Sequence, residues 1–197
     1  YVMENEIFNV NKVLHGSEKP VLAIVGGAKV SSKIVILEQL ISKVDHVLIG
    51  GGMAYTFIKA QGGNVGNSLV EDEHLGDALS IIKAAEDAGV KIHLPIDTKV
   101  ADAFANDANT GVSSTGQIEE GWMGLDIGPK SIEYYSEVIQ SCKTILWNGP
   151  MGVFEMSSFE TGTKAVAQAL VEATKNGAFT LIGGGDSVAA INKYGFA

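Results

Sequence analysis

Residues 21–40 read VLAIVGGAKVSSKIVILEQL. The continuous apolar run VLAIV predicts a strand that is buried on both faces, and the apolar residues that follow at helical spacing predict a helix. Lys29 and Lys33 lie four residues apart at the expected start of that helix, so we expect them on one helix face, one turn apart. Two positive charges at a helix N-terminus repel each other and the helix dipole, so a bound anion would explain their placement.

The alternation of strand and helix recurs along the chain. Further apolar strands are predicted at 46–49, 90–94, 143–147 and 178–182. Strands that are apolar throughout and alternate with helices are typical of a parallel sheet covered on both faces. The sequence therefore predicts an α/β fold: a doubly wound, mostly parallel, Rossmann-like sheet with helices on both faces.

The intervening segments complete this prediction. Ser68 and Glu71 fit a capping box that begins a helix over 68–89. Residues 96–130 are polar and glycine-rich, and predict irregular structure with one or two short strands. No long linker interrupts the sequence, so we expect a single domain over 1–197. Other helical patterns are found at 1–16, from 53 onward, at 131–141 and at 158–175.

Composition and charge exclude several classes of protein. No apolar run approaches the roughly 18 residues that span a bilayer, and no secretory signal opens the sequence, so we expect no membrane partner. A net charge of −9 argues against nucleic acid. The single cysteine, Cys142, suits a reducing cytoplasm. All 14 basic residues are lysine, so anions must be held without the bidentate arginine fork.

Four predicted strands end in unusual glycine-containing turns: IVGGAK, LIGGGMA, ILWNGPMGVFE and LIGGGDS. Ligands of open parallel sheets bind beyond the carboxyl ends of the strands, and exposed backbone N–H groups beside helix N-termini bind anions. A single such turn would indicate only a tight connection. Four at one edge indicate an anion site, where Lys29 and Lys33 would clamp a polyphosphate.

The known nucleotide motifs are absent, and several residues have two interpretations. Neither G-x-x-x-x-G-K-[ST] nor G-x-G-x-x-G occurs. Asp186 either caps a helix or binds the Mg²⁺ that accompanies phosphates. Glu155 is either solvent-facing or bonded to ribose hydroxyls, and 121–129 is either a packed loop or one face of a purine site. The four histidines have no metal-ligand spacing.

The segments GGAKVSSKI, LIGGGMAYTF, GWMGLDIGP, LWNGPMGVFE and IGGGDS occur in the order and approximate spacing of the phosphoglycerate kinase family. Over essentially all of 1–197 the chain resembles the C-terminal, nucleotide-binding domain of that family. The resemblance implies reversible phosphoryl transfer from 1,3-bisphosphoglycerate to Mg-ADP, giving 3-phosphoglycerate and ATP in glycolysis. It further implies a cytoplasmic protein, monomeric at full length, in which 1–16 form an interdomain helix region.

The resemblance also implies roles for individual residues. Lys29, Lys33 and Gly185 are expected to act in catalysis, with Lys29 stabilising the moving phosphoryl group. Asp186 is expected to bind Mg²⁺, and Glu155 the ribose. The full set expected to bind ADP or ATP is Gly27, Ala28, Lys33, Gly51, Gly52, Gly124, Leu125, Asn148, Pro150, Gly152, Val153, Glu155, Gly184, Gly185, Asp186 and Ser187.

Two departures from the family pattern matter. Ser32 stands where many members have an acidic residue, which puts a metal contact there in doubt. The N-terminal domain, with its arginine-rich patch for the acidic substrate, is expected to be missing, as is a glycine-rich loop after Ala197. We therefore expect nucleotide binding without turnover. The alternatives are a non-catalytic nucleotide-binding module and, last, an NAD-type Rossmann domain, which would need an acidic residue where the second strand ends in GGG.

Overall fold

A computed structural model describes residues 18–183 and 185–195, with only the backbone described at 185 and 186. The predicted helix region at 1–16 lies outside the described residues. Strands and helices alternate as the apolar pattern predicts, and no described helix has both the length and the hydropathy needed to cross a bilayer.

The described elements comprise ten strands and six α-helices. The strands are β1 Val21–Val25, β2 His46–Ile49, β3 Asn64–Val65, β4 Lys91–His93, β5 Asp97–Ala101, β6 Thr110–Ser114, β7 Gln117–Ile118, β8 Met123–Ile127, β9 Thr144–Asn148 and β10 Phe179–Gly183. The helices are α1 Ile34–Ile41, α2 Met53–Ala60, α3 Leu75–Ala88, α4 Pro129–Ser141, α5 Thr161–Lys175 and α6 Gly185–Lys193. Short 3₁₀ helices lie at Val30–Ser32, Asp72–His74 and Ser157–Phe159.

The central sheet has five parallel strands in the order β10-β9-β1-β2-β4. Ala23 of β1 is in register with Val47 on one side and Leu146 on the other, so β1 is the middle strand. Its residues are all buried, which explains why its sequence shows no polar alternation. The parallel pairing brings the carboxyl ends of all five strands to one edge.

Helices cover both faces of this sheet, and alternate residues of β1 show how. Val21 and Val25 pack in one core with Leu37 of α1, Phe57 of α2 and Ile81 of α3. Leu22 and Ile24 point to the other face, where the second core takes buried residues from the other three helices: Tyr135 from α4, Val166 from α5 and Ile191 from α6. The predicted doubly wound α/β architecture is confirmed.

Residues 96–130 contain four strands, more than the one or two that the sequence predicts. β5 lies between β6 and β8 in an antiparallel sheet, with Lys99 opposite Val112 and Asp126. The β6 sequence TGVSS has one apolar residue and no buried one, so no hydrophobic alternation marks it. Its pairing with β5 depends on tertiary contacts that the local sequence does not reveal.

The predicted capping box at Ser68 and Glu71 is wrong, because α3 begins only at Leu75. The Ser68 hydroxyl accepts a hydrogen bond from the N–H of Gly124, at 2.8 Å. The Glu71 carboxylate accepts bonds from the N–H and the hydroxyl of Ser31, at 3.0 and 2.6 Å. Both side chains therefore bind distant parts of the chain, and a 3₁₀ turn leads into the helix instead.

Candidate functional site

Backbone hydrogen bonds join three of the glycine turns directly to one another. The Gly26 N–H donates to the Asn148 carbonyl at 2.8 Å, and the Met53 N–H donates to the Gly27 carbonyl at 3.0 Å. The Gly51 N–H reaches the Met151 carbonyl, also at 3.0 Å. The turns after β1, β2 and β9 thus form one connected surface at the carboxyl edge of the sheet.

Close backbone approach requires glycine at the centre of this surface. A Cβ on Gly149, whose φ is +102°, would lie 2.0 Å from the carbonyl oxygen of Gly26. A Cβ on Gly51, at φ +74°, would lie 2.5 Å from the carbonyl oxygen of Gly27. Both positions combine a left-handed conformation with a backbone contact, so side chains are excluded there.

A cavity of about 480 Å³ opens at this edge, within the roughly 300–1,000 Å³ typical of small-molecule sites. Its walls combine the turns after β1, β2 and β9 with the strand β8. Ten of the residues expected to bind nucleotide line it: Gly27, Ala28, Gly51, Gly52, Gly124, Leu125, Pro150, Gly152, Val153 and Glu155. The structure therefore brings together, in one cavity, residues that are spread over 129 positions of the sequence (27 to 155); their role in binding stays a prediction.

Five further residues line the same cavity and are not among the expected ones: Tyr55, Asn67, Leu69, Phe104 and Met123. Leu69 is 49% exposed and Phe104 is 61% exposed, so both leave apolar surface open at the margin of the cavity. Only Phe104, a lone aromatic in the polar run ADAFANDAN, has a sequence signal that could have drawn attention to it. Proximity of the others to the cavity depends on tertiary packing.

Lys29 and Lys33 flank a 3₁₀ turn, so the prediction that they share one face of an α-helix is wrong. Lys29 is extended and exposed, and Lys33 is the residue before α1. Because neither ammonium group is inside the helix, the like-charge contact of an i, i+4 pair does not arise. The Lys33 ammonium donates to the Asn148 side-chain oxygen at 2.7 Å, so it points along the carboxyl edge toward β9.

The GGGDS turn lies at the same edge. Gly183 is in register with Asn148, and the Ser187 hydroxyl accepts a hydrogen bond from the Gly149 N–H at 2.6 Å. Helix α6 begins at Gly185. Gly184 and the side chain of Asp186 lie outside the described residues, so the expected phosphate and Mg²⁺ contacts there stay predictions.

Asp126, behind the cavity wall, was not expected to be unusual. It is 1% exposed, and its carboxylate accepts N–H bonds from Gly162 at the start of α5 and from Ile127. Burial is the largest influence and raises the pKa of this carboxyl to about 7. The two N–H groups and the Lys99 ammonium act in the opposite direction and offset only part of the rise. Burial and then the Asp126 carboxylate also raise the pKa of Tyr55, which lines the cavity.

One group of possible metal ligands is found among the described residues, formed by Glu71, Glu73 and His74. Glu71 already binds Ser31, and the His74 ring is 2.7 Å from the Asp77 carboxylate. The group therefore serves structural contacts near the lysine turn.

Comparison with known proteins decides the family. The profile of the phosphoglycerate kinase family matches residues 1–197. The chain belongs to the phosphoglycerate kinase family. It is 56% identical over all 197 residues to the phosphoglycerate kinase of Porphyromonas gingivalis, and 52% identical to that of Thermosynechococcus vestitus. The resemblance inferred from five segments is confirmed.

Solved phosphoglycerate kinase structures share the fold. The enzyme from Coxiella burnetii matches with a TM-score of 0.90 and 41% identity, and that from Pyrococcus horikoshii with 0.77 and 27%. Each match covers 94% of this chain and 47% of the other. The chain likewise spans 47% and 49% of the two relatives' sequences, about half of their length.

Proposed function

We propose that the chain is the nucleotide-binding half of a phosphoglycerate kinase. It would hold Mg-ADP or Mg-ATP during reversible phosphoryl transfer between 1,3-bisphosphoglycerate and ADP, a step of glycolysis in the cytoplasm. The observation that supports this most strongly is the meeting of ten expected site residues in one cavity beside Lys33 and Asn148. Family membership supplies the reaction.

The cavity suits the base and ribose of a nucleotide. Its walls are mostly glycine backbone and apolar side chains, which fit the faces of a purine, and Phe104 and Leu69 are exposed at its margin. Among the described residues that line the cavity, Glu155 is the one that carries a charge. A carboxylate accepts hydrogen bonds only, so it complements the two ribose hydroxyls, which donate.

The phosphates would extend from the cavity toward Lys33 and the turn at 183–187. Lys33 supplies a positive charge there, while Asn148, Ser187 and the start of α6 supply dipoles. Lys29 is exposed on the same turn as Lys33 and would meet the transferring phosphoryl group. Transfer of this kind depends on alignment and on neutralising charge, with little covalent work by the protein.

Magnesium fits the donor chemistry of the α6 turn. Asp186 offers carboxylate oxygens, which Mg²⁺ prefers, close in sequence to the Ser187 hydroxyl that binds the Gly149 turn. When bound with the nucleotide, the ion would offset negative charge on the phosphates. The Ser32 hydroxyl donates to the Lys29 carbonyl at 2.8 Å, and this proposal assigns it no contact with the ion.

Arginine is the side chain that grips carboxylate and phosphate groups with two parallel hydrogen bonds, and this chain contains none. We propose that a second domain binds 1,3-bisphosphoglycerate or 3-phosphoglycerate, and that the two-domain protein is a monomer. The 197-residue chain alone would then bind Mg-ADP but show no turnover.

Lys29→Ala in the two-domain enzyme tests the proposal. The loss of a charge that acts on the transferring group should lower kcat by about 10²–10³-fold, while the Kd for Mg-ADP changes far less. Lys43→Ala is the matched control, because exposed Lys43 precedes β2 at the opposite edge of the sheet. A non-catalytic binding module would show equal, small effects in both variants.

A further inference from the structure

Lys193 forms contacts that the proposed nucleotide site does not explain. It is the last residue of α6, and its ammonium donates to the Phe154 carbonyl at 2.9 Å. The same ammonium is paired with the Glu160 carboxylate, also at 2.9 Å. It lies 5.9 Å from the centre of the Phe154 ring, within range of a cation–π contact.

The Phe154 carbonyl belongs to the peptide group that joins Phe154 to Glu155. Because the peptide unit is planar, fixing this carbonyl fixes the direction in which the Glu155 backbone begins. The neighbouring N–H groups are held elsewhere: that of Val153 by the Leu125 carbonyl and that of Met156 by the Val153 carbonyl, at 2.9 and 3.1 Å. Lys193 therefore completes the support of an irregular segment at the cavity wall.

Helix α6 thus contacts the segment NGPMGVFE at both of its ends. Near its start, the Ser187 hydroxyl accepts the Gly149 N–H, and at its last residue Lys193 binds the Phe154 carbonyl. The first contact lies beside the proposed phosphate site and the second beside the proposed ribose contact. One nine-residue helix spans the distance between the two.

We propose that Lys193 is a positioning residue that orients Glu155 toward the ribose hydroxyls. The inference rests on the proposed function. It assigns Lys193 an effect on nucleotides that have ribose hydroxyls, and none on analogues without them. A purely structural role would weaken both kinds of ligand alike.

Binding of Mg-ADP and Mg-2′,3′-dideoxy-ADP, measured by titration calorimetry on the purified protein, separates these roles. In Lys193→Met the Kd for ADP should rise about tenfold, as for a lost charged hydrogen bond, while the Kd for the dideoxy analogue changes less than twofold. Lys193→Arg retains a cationic donor and should recover most of the ADP affinity.

Three control variants make the result specific. Lys164→Met removes the same charge from α5, where Lys164 lies over the Tyr194 ring, and should leave both Kd values unchanged. Glu160→Gln breaks the ion pair with Lys193 but keeps the contact of Lys193 with the Phe154 carbonyl, so it should also leave both Kd values unchanged. Glu155→Ala should abolish the preference for ADP, and adding Lys193→Met to it should cause no further loss.

The outcomes distinguish the inference from the function on which it rests. Equal weakening of both ligands in Lys193→Met, or an additive loss in the double variant, would overturn the inference alone. No binding of Mg-ADP by the parent protein, or an unchanged ADP preference in Glu155→Ala, would overturn the ribose assignment as well. Thermal melts identify any variant that fails to fold; if Lys193→Met does, Lys193→Gln, which also removes the charge but is polar, takes its place in the same comparison of ADP with the dideoxy analogue.

Discussion

Replacing Asp126 with asparagine should change how the stability of the protein depends on pH. The carboxyl is 1% exposed, and burial raises its pKa from 3.8 to about 7. Between these values the folded protein keeps a proton that the unfolded chain has released. The contribution of Asp126 to the free energy of unfolding therefore falls as pH rises, by about 1.4 kcal/mol per pH unit.

The expected magnitude follows from this window. Between pH 5 and pH 8 the ionisation of Asp126 in the unfolded chain, while the folded protein still holds the proton, removes roughly 2.5 kcal/mol of stability, and the loss levels off above pH 7. Asparagine does not ionise, so the variant should gain this amount relative to the parent between pH 5 and pH 8. Its single acceptor oxygen satisfies only one of the N–H groups of Gly162 and Ile127, a cost that is equal at every pH.

Urea unfolding followed by tryptophan fluorescence measures the difference, because Trp147 is fully buried in the core between the sheet and helices α4, α5 and α6. Asp107→Asn is the control, since it removes the same charge from an exposed loop. If the free energies of unfolding of Asp126→Asn and the parent change in parallel from pH 5 to pH 8, burial does not raise the pKa of the Asp126 carboxyl.

Two further predictions concern other buried contacts. Gly149→Ala should cost roughly 3–5 kcal/mol, because a Cβ would overlap the Gly26 carbonyl at a positive φ; Gly177→Ala, also at positive φ but in open space, should cost only about 1–2 kcal/mol in the same urea assay. Burial, with help from His46 and Lys91, lowers the pKa of His93 to about 4, so the stabilising contribution of His93 should be lost as pH falls from 6.5 toward 4, opposite in sign to the contribution of Asp126; a difference in unfolding free energy between His93→Gln and the parent that stays constant over this range would exclude the His93 contribution.

The parallel sheet could be predicted because its signal is local. The strands β1, β2 and β9 in the middle of the sheet are buried over nearly their whole length, so their sequences are mostly apolar, and strand β1 matches the predicted 21–25 at both ends. The antiparallel strands in 96–130 could not be predicted in the same way. Strand β6 is stabilised by its pairing with β5 rather than by its own hydrophobicity, and its sequence therefore resembles a loop.

The residues of the candidate site likewise fall into two groups: those that the local sequence predicts and those that only tertiary packing brings together. Glycine turns at strand ends can be read from sequence, since only the topology is needed to place them at one edge. The predicted capping box was wrong because Glu71 binds Ser31, 40 residues away, and nothing in the sequence around Glu71 indicates that contact. Tyr55 and Asn67 line the cavity for a similar reason: the Tyr55 ring of α2 lies against Gly124 of β8, and Ser68, next to Asn67, accepts a hydrogen bond from the Gly124 N–H.

Under the proposed function, the residues that bind the nucleotide and those that assist phosphoryl transfer differ in where their charge lies around the cavity. Groups that line an apolar cavity contact the base equally in the ground state and the transition state, and such contacts lower KM without raising kcat. Lys33 is partly buried and tied to Asn148, whereas Lys29 is exposed. At 4 Å a charge pair is worth about 1 kcal/mol in water and about 4 kcal/mol near a protein surface of lower effective dielectric constant. Under the proposed function, Lys29 acts strongly only when a second domain closes over it and excludes water, so Lys29→Ala in the 197-residue chain alone should leave the Kd for Mg-ADP nearly unchanged.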